Sequence, residues 1–141
     1  MTGRWRTVLV DDVAALRVLV RVLVRVLLAD SESFEVVGEA ANGADGLQVT
    51  RRAQPDLVLL DLAMPVMDGL EFLAAAHTLA HRPVIVVLSG FAADSTAAAA
   101  IAAGAAGYLE KNDLVGSLLP RLQTVLAGQQ PAGGVAPGGG R

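Results

Sequence analysis

The chain reads as an α/β protein with a parallel sheet, and three observations carry that reading. Residues 7–10, 57–60 and 84–88 are short runs of apolar and β-branched residues with no apolar–polar alternation. Such continuous runs suit strands buried on both faces, in a sheet covered by helices on each side. Each run ends in a polar residue: Asp11-Asp12, Asp61 and Ser89. Helical patterns fill the intervals, so that strand and helix alternate five times along the chain.

The first strand is expected at 7–10 and the first helix near 13–30. That helix contains the repeat RVLV, RVLV, RVLL from Arg17 to Leu28. Arginines four residues apart share one stripe, expected to be solvated and to lie opposite a broad buried apolar face; the sharper reading is contact with an anionic surface. The duplicated four-residue unit lengthens the helix by about one turn. A weaker strand is expected at 34–40. Asn42-Gly43 and Asp68-Gly69 are start signals for helices at 43–53 and 69–80. Between strand 57–60 and the third helix lies DLAMPVMDG, where Pro65 and Asp68-Gly69 mark a turn-rich loop. Strand 84–88 leads to a helix at 95–103. Gly104 and Gly107 shape the turn into a last strand at 106–109. The last helix is expected at 113–127, with Pro120 either kinking it or lying in its first turn. Right-handed crossovers bring the C-terminal strand ends to one edge of the sheet, where sites form in folds of this class.

The composition narrows the function. The chain has 141 residues, 53% of them hydrophobic, enough for one domain with its own core. The net charge of −3 provides no global field for nucleic acid or an acidic membrane. With no cysteine, disulfides and thiolate chemistry are excluded, and a reducing cytoplasm is compatible. The N-terminus lacks the apolar stretch of a signal peptide. Residues 13–29 are apolar but interrupted by Arg17, Arg21 and Arg25, whereas a membrane span needs roughly 20 apolar residues with few charges. No recognition-helix pair or basic patch points to DNA binding by this chain. From Gly128 the chain runs GQQPAGGVAPGGGR, which offers nothing to pack. The expected organisation is therefore one unit at 1–128 and a flexible tail at 129–141.

Five polar residues fall at predicted strand ends: Asp11, Asp12, Asp61, Ser89 and Lys111. Three carboxylates brought together repel one another, and a hard divalent cation relieves the repulsion. Carboxylates with water are what Mg²⁺ prefers. Lys111 is the only lysine beside ten arginines. Lysine offers phosphate a compact point charge, whereas arginine offers a planar fork. An exposed aspartate such as Asp61 can accept a phosphoryl group as an acyl phosphate. Lys111 and Ser89 would then hold the phosphoryl oxygens. Single aspartates in loops are more often caps or turn residues; it is the set of five at one edge that points to chemistry.

These motifs resemble the receiver domain of two-component response regulators. The resemblance spans roughly residues 5–128 and rests on Asp11-Asp12, PDLVLLDLAMPVMDGLEFL around Asp61, VVLSG with Ser89, and GYLEK with Tyr108 and Lys111. EVVGEAANGADGL is similar to the subfamily that usually carries a helix-turn-helix output domain. The resemblance implies a flavodoxin-like sheet in the order 2-1-3-4-5, an order that flavodoxin shares with a known member of this family. It further implies that Asp61 is phosphorylated by a sensor histidine kinase or a phosphotransfer protein. Asp12 and Asp61 with the Ala63 carbonyl would ligate Mg²⁺, and Asp11 would act through metal-bound water. Ser89 would hydrogen-bond the phosphoryl group, Lys111 would pair with it, and Tyr108 would be the aromatic switch that follows Ser89. The face built by the fourth helix, fifth strand and fifth helix would take a downstream protein partner or a second copy, in the cytoplasm. The chain would be a switch rather than an enzyme.

Some residues depart from the family pattern. Asn112 follows Lys111 where many relatives have proline, the first helix is long, and Pro120 falls in the last one. Phe91 and Ala63 occupy positions that tune dephosphorylation in relatives, and a bulky Phe91 would shield the acyl phosphate from water. His77 and His81 are expected to be exposed, and Trp5 and Phe34 to pack. Three other readings make demands that the residues can be held against. A haloacid-dehalogenase-like phosphatase would need its nucleophile after the first strand and a cap domain. A flavodoxin-like cofactor binder would need a phosphate loop where Asp11 and Asp12 stand. A non-phosphorylated receiver-like module that binds proteins constitutively would need none of the five polar residues.

Overall fold

A computed structural model describes residues 4–27, 34–62, 67–89 and 95–131. Its elements are β1 (Trp5–Val10), α1 (Ala14–Leu27), β2 (Phe34–Ala40), α2 (Gly43–Ala53), β3 (Leu57–Asp61), α3 (Gly69–Ala76), β4 (Val84–Ser89), α4 (Ser95–Ala102), β5 (Gly107–Glu110), a 3-10 turn at Lys111–Asp113 and α5 (Leu114–Leu126). All strand pairs are parallel, and the sheet order is β2-β1-β3-β4-β5. This is the flavodoxin-like order the resemblance implied.

The continuous apolar runs are explained by burial on both faces. Successive side chains of a strand point to opposite sides, so each run feeds two cores. Val8, Val10, Val58, Leu60, Ile85 and Val87 pack with Leu47 of α2, Phe72 and Leu73 of α3 and Ala100 of α4. Leu9, Leu57, Leu59, Val86 and Leu88 pack with Val20 of α1 and with Leu114, Leu118 and Leu122 of α5. Helices therefore cover both faces, α2, α3 and α4 on one and α1 and α5 on the other. Among the described residues Phe72 is the largest fully buried side chain, and Phe72→Ala is expected to lower stability by about 3–5 kcal/mol. Urea denaturation with an unchanged slope checks this.

The helix starts follow the cap residues read from the sequence. The Asn42 side chain accepts from Asp45 N at 2.8 Å. Asp68 forms a capping box with Glu71, its Oδ1 accepting from Glu71 N at 2.9 Å while Glu71 Oε1 accepts from Asp68 N at 3.0 Å.

Four expectations are corrected. First, β1 begins at Trp5, two residues before the predicted start. The Arg6 guanidinium donates to Ala53 O at 2.6 Å and Gln54 O at 3.1 Å, and Arg6 N donates to Asp56 Oδ2 at 3.0 Å. An arginine that caps the carbonyls at the end of α2 thus holds a strand start that propensity does not favour. Second, α3 ends at Ala76 rather than 80. His77 turns out of the helix and shares a hydrogen bond with Ala103 O at 3.1 Å, and Thr78 Oγ1 donates back to Ala75 O at 2.7 Å. Third, among the described side chains of α1 the buried apolar face is narrower than expected. Val18, Leu19, Val22 and Val26 are exposed, while Val20 is buried and Leu16 and Leu23 are half-buried. Fourth, Arg17 and Arg21 are not a solvated stripe, because both pair with Glu39 of β2.

Pro120 lies in the interior of α5 rather than in its first turn, on the exposed side. Residues 28–30 of the predicted first helix, Ala63, Phe91 and tail residues 132–141 lie outside the described residues. Gln129 N donates to Leu126 O at 3.0 Å, and its side-chain amide donates to Val125 O at 3.0 Å. Among the described residues, no helix is long and apolar enough to cross a membrane.

Candidate functional site

The parallel sheet ends its three central strands at one edge, and each ends in a residue singled out from the sequence. Asp11 follows β1 and is buried; its N donates to Ala40 O at 3.0 Å, which carries the pairing with β2 past the strand end. Its Oδ1 accepts from Val13 N at 2.8 Å, so the carboxylate itself turns the chain into α1. Asp12 is exposed. Asp61 closes β3 and is 1% exposed, which corrects the expectation that its loop exposes it, because it is the last strand residue rather than a loop residue; Ser89 closes β4 and is as deeply buried. Leu62 N donates to Leu88 O at 3.2 Å, fixing the chain just beyond Asp61 against β4.

Gly69 allows the next helix to approach. A Cβ there would lie 2.7 Å from both Asp61 O and Leu62 Cα. Backbone cannot yield at that distance, so only glycine lets the start of α3 sit against the end of β3. Gly69 N donates to Leu62 O at 2.9 Å in that contact.

The carboxylates converge. One oxygen from each of Asp11, Asp12 and Asp61 lies within 4.8 Å of the others. Lys111, at the start of the 3-10 turn after β5, places Nζ 3.1 Å from Asp61 Oδ2 and 3.2 Å from Asp11 Oδ2. Burial opposes the charge on Lys111. The hydrogen bond and charge of Asp61, followed by those of Asp11, outweigh burial and hold the Lys111 pKa above its ordinary value of 10.5. The lysine is therefore a fixed cation throughout the neutral range.

The donor set fits a hard divalent cation. All three groups are carboxylates, Asp12 opens to solvent and leaves room for water, and Asp11 Oδ2 is buried beside Lys111 Nζ. Ser89 stands opposite Glu110 in the β4–β5 register, and Tyr108 stands opposite Val87. Tyr108 is half-buried and packs against the core on the side of α2, α3 and α4. His77 and His81 are remote from the cluster. His77 is exposed at the end of α3, and the His81 ring is half-buried, 2.9 Å from Pro55 O.

One residue at the site escaped the sequence reading. Arg17 of α1 donates to the backbone carbonyl of Asp11, and its Nε lies 3.3 Å from Glu39 Oε1. Glu39 precedes the end of an edge strand, and no local pattern joins it to the arginines of a helix.

Known proteins are similar to this chain in sequence and fold. The family described as response regulator receiver domain matches residues 8–123. The response regulator GacA of Pseudomonas aeruginosa is 38% identical over 114 residues, covering 79% of this chain and 52% of that protein. A protein-glutamate methylesterase/protein-glutamine glutaminase of a Nocardioides species is 34% identical over 145 residues, covering 94% of this chain and 37% of the relative. The crystal structure of a LuxR-family two-component response regulator from Aurantimonas sp. SI85-9A1 superposes with a TM-score of 0.78 at 27% identity, covering 91% of this chain and 89% of that one. The chain spans about half the length of the curated relatives it matches. With the family matched over most of its length and the sheet order in agreement, the chain belongs to the receiver domain family of two-component response regulators.

Proposed function

We propose that this chain is the phosphorylation switch of a two-component phosphorelay and that Asp61 is its phosphoacceptor. The observation that carries this is the position of Lys111 Nζ, 3.1 Å from a buried carboxylate at a strand end. A fixed cation there can pair with the oxygens of an incoming phosphoryl group. An Asp61 carboxylate oxygen attacks the phosphorus of a phosphohistidine on a sensor histidine kinase or phosphotransfer protein. The P–N bond breaks, its electrons stay on the imidazole nitrogen, and a carboxylic–phosphoric anhydride remains on Asp61. Asp11, Asp12, Asp61 and the Ala63 carbonyl would hold Mg²⁺, which when bound neutralises charge on the transferred group.

Ser89 then hydrogen-bonds the phosphoryl group, and Tyr108 follows it inward. That movement changes the face formed by α4, β5 and α5, which takes a downstream protein or a second copy. The event is a local charge change that biases a two-state element, and the protein acts on no separate substrate. Residues 1–128 form the switching unit, 129–141 a tail, and the setting is the cytoplasm. Incubation with acetyl phosphate and Mg²⁺ is expected to add one labile phosphoryl group by intact mass, and chelation of the metal to prevent it. A chain that binds Mg²⁺ but gains no mass from acetyl phosphate or from a partner kinase would instead be the constitutive binding module.

A further inference from the structure

We infer that Arg17 is a positioning residue for the divalent-cation site, acting through a clamp that it forms with Glu39 and Arg21. The inference rests on the reading of Asp11, Asp12 and Asp61 as cation ligands. Two of those three carboxylates lie in the short turn between β1 and α1. Backbone bonds fix the start of the turn, where Asp11 N meets Ala40 O, and its end, where Leu16 N and Arg17 N meet Val13 O. Between them, the chain at Asp12 is held by neither sheet nor helix; the Asp11 Oδ1–Val13 N hydrogen bond spans it locally but ties it to no other element.

The Arg17 side chain closes that gap. It reaches back six residues and donates Nη1 to the carbonyl of Asp11, the residue whose carboxylate faces Lys111. Its Nε lies 3.3 Å from Glu39 Oε1, and the other Glu39 oxygen is taken by Arg21 Nη2. Glu39 sits on β2, beside the same Ala40 that accepts from Asp11 N. The turn is therefore gripped on its carbonyl side by a guanidinium that is itself anchored to the sheet. The Arg17 and Glu39 side chains are 19% and 26% exposed, so the pair is shielded well beyond an ordinary surface ion pair. A planar guanidinium spans both acceptors with separate N–H groups, and a lysine ammonium cannot reproduce that geometry.

The clamp fixes where Asp11 and Asp12 point before a cation arrives. Without it the turn samples other orientations, and cation binding must pay to order them. Loss of a group that orients metal ligands typically weakens metal affinity about tenfold or more.

The test is the Mg²⁺ dissociation constant by calorimetry for the wild type, Arg17→Met, Arg17→Lys and Glu39→Gln. Far-UV circular dichroism would confirm that each is folded. Arg17→Met keeps the packing stem and is expected to weaken Mg²⁺ about tenfold, with Arg17→Lys recovering part of the loss. Glu39→Gln leaves Arg17 in place without its anchor and is expected to weaken binding less. In phosphorylation by acetyl phosphate, the Arg17→Met defect should appear in the Mg²⁺ concentration needed for half-maximal rate and vanish at saturating Mg²⁺. A merely structural role would not produce that split. A wild type that binds Mg²⁺ and a folded Arg17→Met that binds it within twofold would overturn the clamp alone. A wild type that binds no Mg²⁺ would overturn the reading of the site and the clamp with it.

Discussion

Asp61→Asn is expected to abolish the phosphoryl gain from acetyl phosphate completely while leaving the chain folded. Asparagine has nearly the volume of aspartate, so the buried end of β3 keeps its packing. Its amide is neutral and far less nucleophilic than a carboxylate and cannot form the anhydride. The substitution also removes one of three carboxylates whose oxygens lie within 4.8 Å of one another, while Lys111 retains Asp11 at 3.2 Å. Relief of like-charge repulsion therefore offsets the lost ion pair, and without Mg²⁺ the unfolding midpoint should stay at or above that of the wild type. Intact mass and urea denaturation read the two effects separately. An equal mass gain in both proteins would move the acceptor to another residue, with Asp12, the solvent-exposed carboxylate of the same cluster, the first candidate.

Most of the fold was legible because the strands announce themselves by composition rather than by alternation. A run such as Leu57–Leu60 has an apolar side chain for each core, and only a doubly covered sheet asks for that. The site residues were legible for a related reason: each interrupts an apolar run where a strand must end. What the sequence concealed depends on long-range partners. The arginines of α1 look solvated because their spacing defines a stripe but says nothing about what the stripe faces. Glu39, on a neighbouring strand, turns Arg17 and Arg21 inward. The apolar side of α1 was misread for the same reason. A single helix crossing a small sheet docks through Val20 and its half-buried neighbours Leu16 and Leu23, which leaves Val18, Val22 and Val26 in solvent. The early end of α3 was equally hidden, since AAAHTLA carries no helix stop until His77 finds the Ala103 carbonyl.

These long-range contacts share a direction. Arg17 ties the β1–α1 turn to β2, Gly69 brings α3 against the end of β3, and Lys111 ties the turn after β5 to Asp11 and Asp61. The acidic pocket is thus held from three sides by elements distant in sequence. This is the support a site needs if a small charge change is to be felt beyond it.

Lys111→Met should lower stability at neutral pH by about 2 kcal/mol, less than the loss of a fully buried partner because solvent reaches the lysine. Methionine fills most of the space but leaves the Asp61 and Asp11 carboxylates without the cation at 3.1 and 3.2 Å. The sign with pH follows from the raised Lys111 pKa. A lysine whose pKa is higher folded than unfolded stabilises the fold fully below its ordinary value of 10.5, and that contribution is lost only as pH rises through the higher folded value. In the wild type the pairing is therefore intact across neutral pH. In Lys111→Met the two buried carboxylates face each other without the cation, and their repulsion is unrelieved. The deficit should therefore be full at pH 7 and shrink only as pH rises past 10.5, where the wild type loses its own lysine charge. Added Mg²⁺ should restore stability by binding only the folded state. Urea midpoints at pH 7 and at a pH above 10.5, with Mg²⁺ added at pH 7, measure this directly. A deficit independent of both pH and Mg²⁺ would mean that Lys111 contributes packing by its stem and that its charge is not what holds the pocket.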